Sequence, residues 1–306
     1  MGSENCFVNK AEVDQQLMQA DLHMHSTASD GGYSPAKLME KCKEAGLHIV
    51  ALTDHDTTNG VKEAQAAGKQ LNLTVIPGIE LSTKWKGKSV HMLGYGVNIE
   101  DAAFQEVLEG QRQMRNKRME VMLERLQGAG VTLQEEDVLR YVDGGSVGRP
   151  HVAKALIDRG YVKEVSEAFD KYLGEGKPAY VSKAKEFTPE EAISLIHKAG
   201  GLAVVAHPGY YGLDEDIEKW VHQSGLDGVE IEHRDHDPEE RKHYEKLTSK
   251  LEKETNKTLL RTGGSDFHHE EYGRKKEPLG VTTISGEKAE ILLRAIEKRH
   301  SSQTSG

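Results

Sequence analysis

The sequence predicts an α/β fold, a (β/α) barrel opened by a helical insertion. Short apolar runs alternate with helical stretches over residues 19–100 and again over 186–299, the pattern of strand–helix units. Residues 101–185 between them read as helices with few strand candidates. Histidine and carboxylate clusters close most of the apolar runs, and the C-terminal ends of barrel strands are where such folds carry their sites.

Residues 1–18 read as an N-terminal extension. Gln19–His23 reads as the first strand. Ser34 and Pro35 then supply a cap and a first-turn proline, so a helix runs to about Ala45-Gly46. His48–Thr53 is a strand ending on Asp54-His55, with a helix following from about Asn59 to Gln70. Leu73–Ile79 is a strand ending on Glu80, and Val90–Val97 another with His91 near its start. Phe104, Val107, Leu108, Met114, Val121, Met122 and Leu126 fall at helical spacing. More helices are expected over 135–141, 151–158 and 165–172. Thr188 caps a helix to Lys198, and the strand Leu202–Ala206 ends on His207-Pro208. Then come a helix over 217–223, a strand over 228–232, a helix over 238–255, and a strand over 259–262 that ends on Gly263-Gly-Ser-Asp266. A last strand (279–284) and a closing helix (286–299) precede a polar tail, 300–306, expected to be disordered.

The bulk numbers fit an enzyme with an ample core: 306 residues, 36% hydrophobic and 29% charged. No apolar stretch is long enough to span a bilayer. The first ten residues lack the apolar segment of a secretory signal, so a cytoplasmic location is the default. Two cysteines, Cys6 and Cys42, make no ligand-spaced pair and read as free thiols. A net charge of −10 argues against a general surface for long nucleic acids, but not against a phosphorylated substrate, since bound cations reverse the local sign. Oligomeric state is left open.

His23 and His25, two apart on a strand, face the same side. With them stand His55, His91, His207 and His268, and the carboxylates Asp30, Glu80 and Asp266. Four ligands satisfy one zinc-like ion, so nine suit two or three divalent ions with one carboxylate bridging. Nitrogen and oxygen donors without cysteine fit manganese, zinc or iron. Glu230 and His233 follow a strand at the same end and read as partners that orient ligating imidazoles. Arg149 and His151 are candidate substrate contacts from the insertion, because a guanidinium grips phosphate with a two-pronged fork. The helix with Arg112, Arg115, Lys117, Arg118 and Arg125 reads as a solvated, salt-bridged face. His48, His222, His243, His269 and His300 read as non-ligands.

Asp21-Leu-His-Met-His-Ser with Asp30-Gly31, Leu52-Thr-Asp-His-Asp, Pro77-Gly-Ile-Glu80, His91-Met-Leu-Gly-Tyr95, Ala206-His-Pro208 and Gly264-Ser-Asp-Phe-His268 resemble the motif series of the PHP (polymerase and histidinol phosphatase) superfamily. Gly148-Arg-Pro-His151 and Gly176-Lys-Pro-Ala-Tyr-Val181 resemble its branch acting on nucleoside 3′,5′-bisphosphates and on the 5′ ends of short oligonucleotides. The resemblance implies a distorted seven-stranded (β/α) barrel with a trinuclear centre. His23, His25, Glu80 and Asp266 would hold one ion. Glu80 would bridge to a second, held also by His91 and His207, and Asp30, His55 and His268 would hold a third. Such a centre implies in-line attack on phosphorus by a hydroxide bridging two ions. A metal-bound water, His233 or His151 would protonate the leaving oxygen. Two alternatives stand beside this phosphoesterase: a histidinol-phosphate phosphatase, and a metal-binding regulatory module without catalysis. A proofreading module is disfavoured by the lack of a polymerase portion.

Overall fold

A computed structural model describes residues 18–142, 145–182, 186–271 and 276–303 of the chain. Strand β1 (Gln19–Asp21) leads through helix α1 (Pro35–Glu44) to β2 (Leu47–Leu52), and the two strands pair in parallel. Ser34 caps α1, its Oγ accepting from Lys37 N at 3.3 Å. Helix α2 (Val61–Leu71) leads to β3 (Thr74–Trp85), whose first residues pair in parallel with β2.

Here the chain departs from simple strand–helix alternation. β3 does not stop at Glu80 as expected. It continues to Trp85 and turns back as β4 (Lys88–Tyr95) in an antiparallel hairpin. Lys86 and Gly87 both take positive φ, 48° and 80°, the backbone a two-residue hairpin turn requires. β5 (Leu202–Val205) pairs antiparallel with β4. β6 (Gly228–His233) and β7 (Leu260–Gly264) resume parallel pairing. The last expected strand shrinks to β8 (Ile284–Ser285), antiparallel to β1.

The sheet order is β7-β6-β5-β4-β3-β2-β1-β8. Beyond β1 and β7 the chain nearly closes it into a barrel: Leu22 N donates to Gly263 O at 3.1 Å and His25 N to Phe267 O at 2.9 Å. Gly264 makes this approach possible, because a Cβ there would lie 2.4 Å from His23 N. The fold is thus a distorted α/β barrel of seven strands with β8 added at its edge.

The chain between β4 and helix α7 (Pro189–Lys198) holds α3 (Ala102–Gly128), α4 (Glu135–Leu139), α5 (Arg149–Asp158) and α6 (Val165–Ala168), the last running into a π-helical turn at Phe169–Leu173. Phe104 and Leu108 of α3 pack into the barrel core with Ile79 and Ile193. Further along, Met119, Met122 and Leu126 build a separate core with Val152, Leu156 and Leu173. One helix therefore fixes this second core against the barrel mouth. Helices α8 (Asp214–Lys219), α9 (Pro238–Thr255) and α10 (Gly286–Gln303) complete the outer layer. Residues 300–303 of the tail expected to be disordered instead continue α10, and His300 Nε2 lies 2.8 Å from Gly96 O; 304–306 lie outside the described residues. Cys42 is a buried free thiol; Cys6 lies outside the described residues. Among the described residues, no helix is long and apolar enough to cross a membrane.

Candidate metal centre

His23 and His25 both turn into the barrel, with ring centroids 5.3 Å apart. Met24 between them points the other way, into the core with Leu38 and Cys42, as a period of two requires. Both imidazoles meet Glu80 on β3. Glu80 Oε2 lies 3.3 Å from His23 Nε2, 3.2 Å from His25 Nε2 and 3.0 Å from His55 Nδ1. Its other oxygen, Oε1, lies 2.9 Å from His91 Nδ1 and 3.2 Å from His207 Nε2. One carboxylate thus presents each oxygen to a different set of imidazoles. Asp266 Oδ1 comes within 3.1 Å of His25 Nε2, and His268 Nε2 sits 3.1 Å from Asp30 Oδ1.

All nine predicted ligand residues therefore converge on one end of the barrel. Among the described residues, three groups have donor atoms within 4.8 Å of one another: His23, His25, Glu80 and Asp266; His25, Asp30, His55 and His268; and His55, Glu80 and His91. The first coincides with an expected set. The other two share His25 and His55 with their neighbours, so the sets overlap more than the sequence implied, and His207 joins the cluster through Glu80 Oε1 and by packing against the His23 and His91 rings.

The residues fit divalent cations. His23 Nε2, both His25 nitrogens, Asp30 Oδ1, His55 Nδ1 and Glu80 Oε2 are buried with no hydrogen-bond partner among the described residues. Orphaned buried donors and acceptors are costly, and here they lie in adjoining groups that share residues. Burial alone would raise the pKa of Glu80, but the imidazoles of His55, His91 and His23 hold it well below the usual range. Asp266 and Asp30 are likewise burial-penalised and likewise held ionised by neighbouring histidines. Burial would depress His25, yet Asp266 and Glu80 outweigh it and lift the ring to about 10. A pocket this hungry for positive charge suits a cation.

Supporting groups fix the donors. Glu230 Oε1 lies 3.0 Å from His23 Nδ1, and Oε2 accepts from His207 N at 2.7 Å. His207 and Asp266 carry positive φ, 27° and 50°, an uncommon backbone for non-glycine residues that concentrates at functional sites. Tyr211 OH lies 2.9 Å from His207 Nδ1 and accepts from His91 N at 2.9 Å. Asp54 accepts from Ser26 N, Ser26 Oγ and Ser29 Oγ at 2.6–2.7 Å, tying down the Asp30 loop. Asp21 does the same for Ser265, with Oδ1 3.0 Å from its N. Both aspartates belong to the motifs yet act as braces. His233 is buried beside the centre, with Nε2 3.7 Å from Asp266 Oδ2 and Nδ1 accepting from Asp235 N at 3.2 Å.

A cleft of about 310 Å³ leads from Asp30, His55 and His91 to Arg118, Arg149, Phe169 and Tyr180. Arg149 lines this cleft, its Cζ 5.3 Å from the Phe169 ring centre. His151 does not reach this cleft. It is buried, and its Nδ1 accepts from Gly148 N at 2.9 Å. Burial pushes its pKa down to about 4, so it is a neutral cap at the start of α5 and unsuited to be the acid.

The basic helix face is not solvated throughout, contrary to expectation. Arg115 is buried, its Nε donating to Asp56 Oδ2 at 2.9 Å and its Nη2 to Ser82 Oγ at 2.9 Å. Arg118 lines the cleft, and its Nε is buried without a hydrogen-bond partner among the described residues. Burial, with Arg115 and Arg149 nearby, brings its pKa down to about 10. The signal was present in sequence: Arg115 stands four residues before Met119 and Arg118 four before Met122, on the buried stripe.

The model of the PHP domain matches residues 21–211. The chain belongs to the PHP domain family. Among curated relatives, a 5′-3′ exoribonuclease of Haemophilus influenzae is 36% identical over 81% of this chain and 89% of its own length. The 5′-3′ exoribonuclease Rnm of Escherichia coli is 36% identical, over 86% of this chain and 92% of its own. A 3′,5′-nucleoside bisphosphate phosphatase of Chromobacterium violaceum is 33% identical, over 82% and 88%. A solved metal-dependent phosphoesterase from Bifidobacterium adolescentis superposes with a TM-score of 0.81 at 30% identity, covering 91% of this chain and 96% of that one. An amidohydrolase from C. violaceum with bound sulfate gives 0.74 at 31% identity, covering 92% and 96%.

Proposed function

We propose that this PHP-family phosphoesterase acts on small nucleotides. It removes the 3′-phosphate of nucleoside 3′,5′-bisphosphates and takes nucleotides from the 5′ end of short 5′-phosphorylated oligonucleotides at the same centre. One observation carries the reading. Glu80 faces two sets of imidazoles with its two oxygens, and the adjoining cleft ends on two arginines, Arg118 and Arg149. A substrate with an ester at Glu80 and a second anionic group at the guanidiniums matches both. The named activities of the exoribonuclease and bisphosphate phosphatase relatives agree with it, and the complete ligand set speaks against a silent regulatory module.

His23, His25, Glu80 and Asp266 would hold one divalent ion, Glu80 with His91 and His207 a second, and Asp30, His55 and His268 a third, with manganese, zinc or iron matching the donors. Bound ions supply water activated at neutral pH and neutralise charge on the phosphoryl oxygens. The chain's own groups do the rest. Glu230 orients His23 and, through its backbone, His207. Arg149 and Arg118 bind the second phosphate by charge-assisted hydrogen bonds. His233 accepts at Nδ1, so Nε2 faces the centre as a donor; we assign it a hydrogen bond to the leaving oxygen, which takes its proton from water. The net charge of −10, with Arg118 and Arg149 lining the cleft, suits short substrates over long nucleic acids. Nucleotide substrates suit a cytoplasmic setting.

The test is a phosphate- and nucleotide-release screen with added manganese. It covers nucleoside monophosphates, 3′,5′-bisphosphates, 5′-phosphorylated oligonucleotides and histidinol phosphate. Preference for the second and third classes supports the reading; preference for histidinol phosphate overturns it.

A further inference from the structure

Asp30 and His268 lie on two loops, beyond the last backbone pairing that closes the barrel. Met24 bridges Phe267, and past that point, among the described residues, the loops are tied through their backbones by Gly32 N to His268 O at 2.7 Å. Two side chains that must share an ion need a fixed separation, and the sheet does not provide it here.

A set of side chains just outside the centre spans the same two loops. The Tyr33 ring stacks on His269, centroids 5.1 Å apart at 21°, and lies parallel to Phe267 at 6.4 Å. Tyr33 OH donates to Glu270 Oε2 at 2.7 Å. Lys41, on α1, donates to Glu270 Oε1 at 2.7 Å and lies 4.5 Å over the Tyr33 ring. Gly32 lets the loops meet: a Cβ there would come 2.7 Å from the His269 ring. Both carboxylate oxygens of Glu270 are thus used, one by each neighbour. The contacts join α1, the Asp30 loop and the His268 loop into one unit.

We propose that Tyr33, Lys41, His269 and Glu270 form a latch across the barrel seam that sets the Asp30–His268 separation and so governs occupancy of the ion position these two residues share with His55. The latch residues are positioning residues, since none faces the cleft. The inference rests on the reading of the centre as metal-binding. It predicts that one ion is selectively labile, because the His23–Glu80–Asp266 group is braced separately through Asp21 and Glu230.

The test measures bound manganese per chain by elemental analysis after gel filtration, on the intact protein and on Tyr33→Ala, Glu270→Ala and the conservative Tyr33→Phe. Thermal unfolding checks that each variant folds. Tyr33→Ala and Glu270→Ala should retain one ion fewer than the parent at limiting manganese and regain it at high manganese. Tyr33→Phe keeps the stack and should lie between. Parent-like content and affinity in both alanine variants overturns the latch alone, as does proportional loss of all ions in a folded variant. A parent that takes up no manganese, zinc or iron overturns the metal reading and the latch with it.

Discussion

His23 and Glu230 are joined through Nδ1 and Oε1 at 3.0 Å, with both side chains wholly buried. The carboxylate holds Nδ1, which leaves Nε2 facing Glu80 and Asp266 as the nitrogen that would ligate an ion. Such a partner fixes both ring orientation and tautomer. Glu230→Gln should therefore weaken metal binding roughly 10–100-fold while leaving the fold intact. Titration of manganese by calorimetry measures it.

Removal of metal should abolish hydrolysis reversibly. Dialysis against a chelator followed by manganese should restore turnover, and saturating metal should raise the unfolding temperature. At a free concentration 100 times the dissociation constant, one ion adds about 2.7 kcal/mol. An unfolding temperature insensitive to manganese would contradict this.

Arg118→Ala and Arg149→Ala should act on substrates with a second phosphate. Loss of one charge-assisted bond is worth about 1.5–3 kcal/mol, or roughly 10- to 160-fold in kcat/KM, carried mainly by KM. Nucleoside monophosphates should change far less. Steady-state kinetics on a bisphosphate and its monophosphate separates the two.

Arg115 serves the fold. Its guanidinium pairs with Asp56, only 2% exposed, and donates to Val147 O at 3.2 Å. Arg115→Met leaves that carboxylate buried without its cation, a change that costs about 3–5 kcal/mol. Denaturant unfolding should show the loss.

His151 gives a pH signature. Its folded pKa of about 4 lies below the unfolded 6.5, so the unfolded chain binds the proton first as pH falls. Stability should be full above pH 6.5 and decline between 6.5 and 4, by about 3 kcal/mol for this residue. His151→Gln should flatten that part of the stability-against-pH curve in denaturant titrations.

Much of the centre was legible because metal ligation demands particular side chains at strand ends. His23, His25, His55, His207, Asp266 and His268 each follow an apolar run, and all converge. Glu80 misled: its strand continues because Leu81, Thr83 and Trp85 keep a two-residue alternation up to the Lys86-Gly87 turn, a signal weaker than the apolar run before it. The overlap of ligand sets around His25 and His55 was not legible, since it depends on how two loops fold over one another. His151 misled because sequence shows residue type but not direction; the ring turns back to cap its own helix. Arg118 was hidden by its acidic neighbours, although its place on the apolar stripe marked it as inward.

The central claim is that Glu80 links the ions on which hydrolysis depends. Phosphate release from adenosine 3′,5′-bisphosphate in manganese, compared between the parent and Glu80→Gln, tests it most directly. Near-isosteric replacement removes one charge and one metal-facing oxygen, and a drop of at least 1000-fold, about 4 kcal/mol, is expected with circular dichroism unchanged. Turnover within tenfold of the parent in the folded variant would contradict the account.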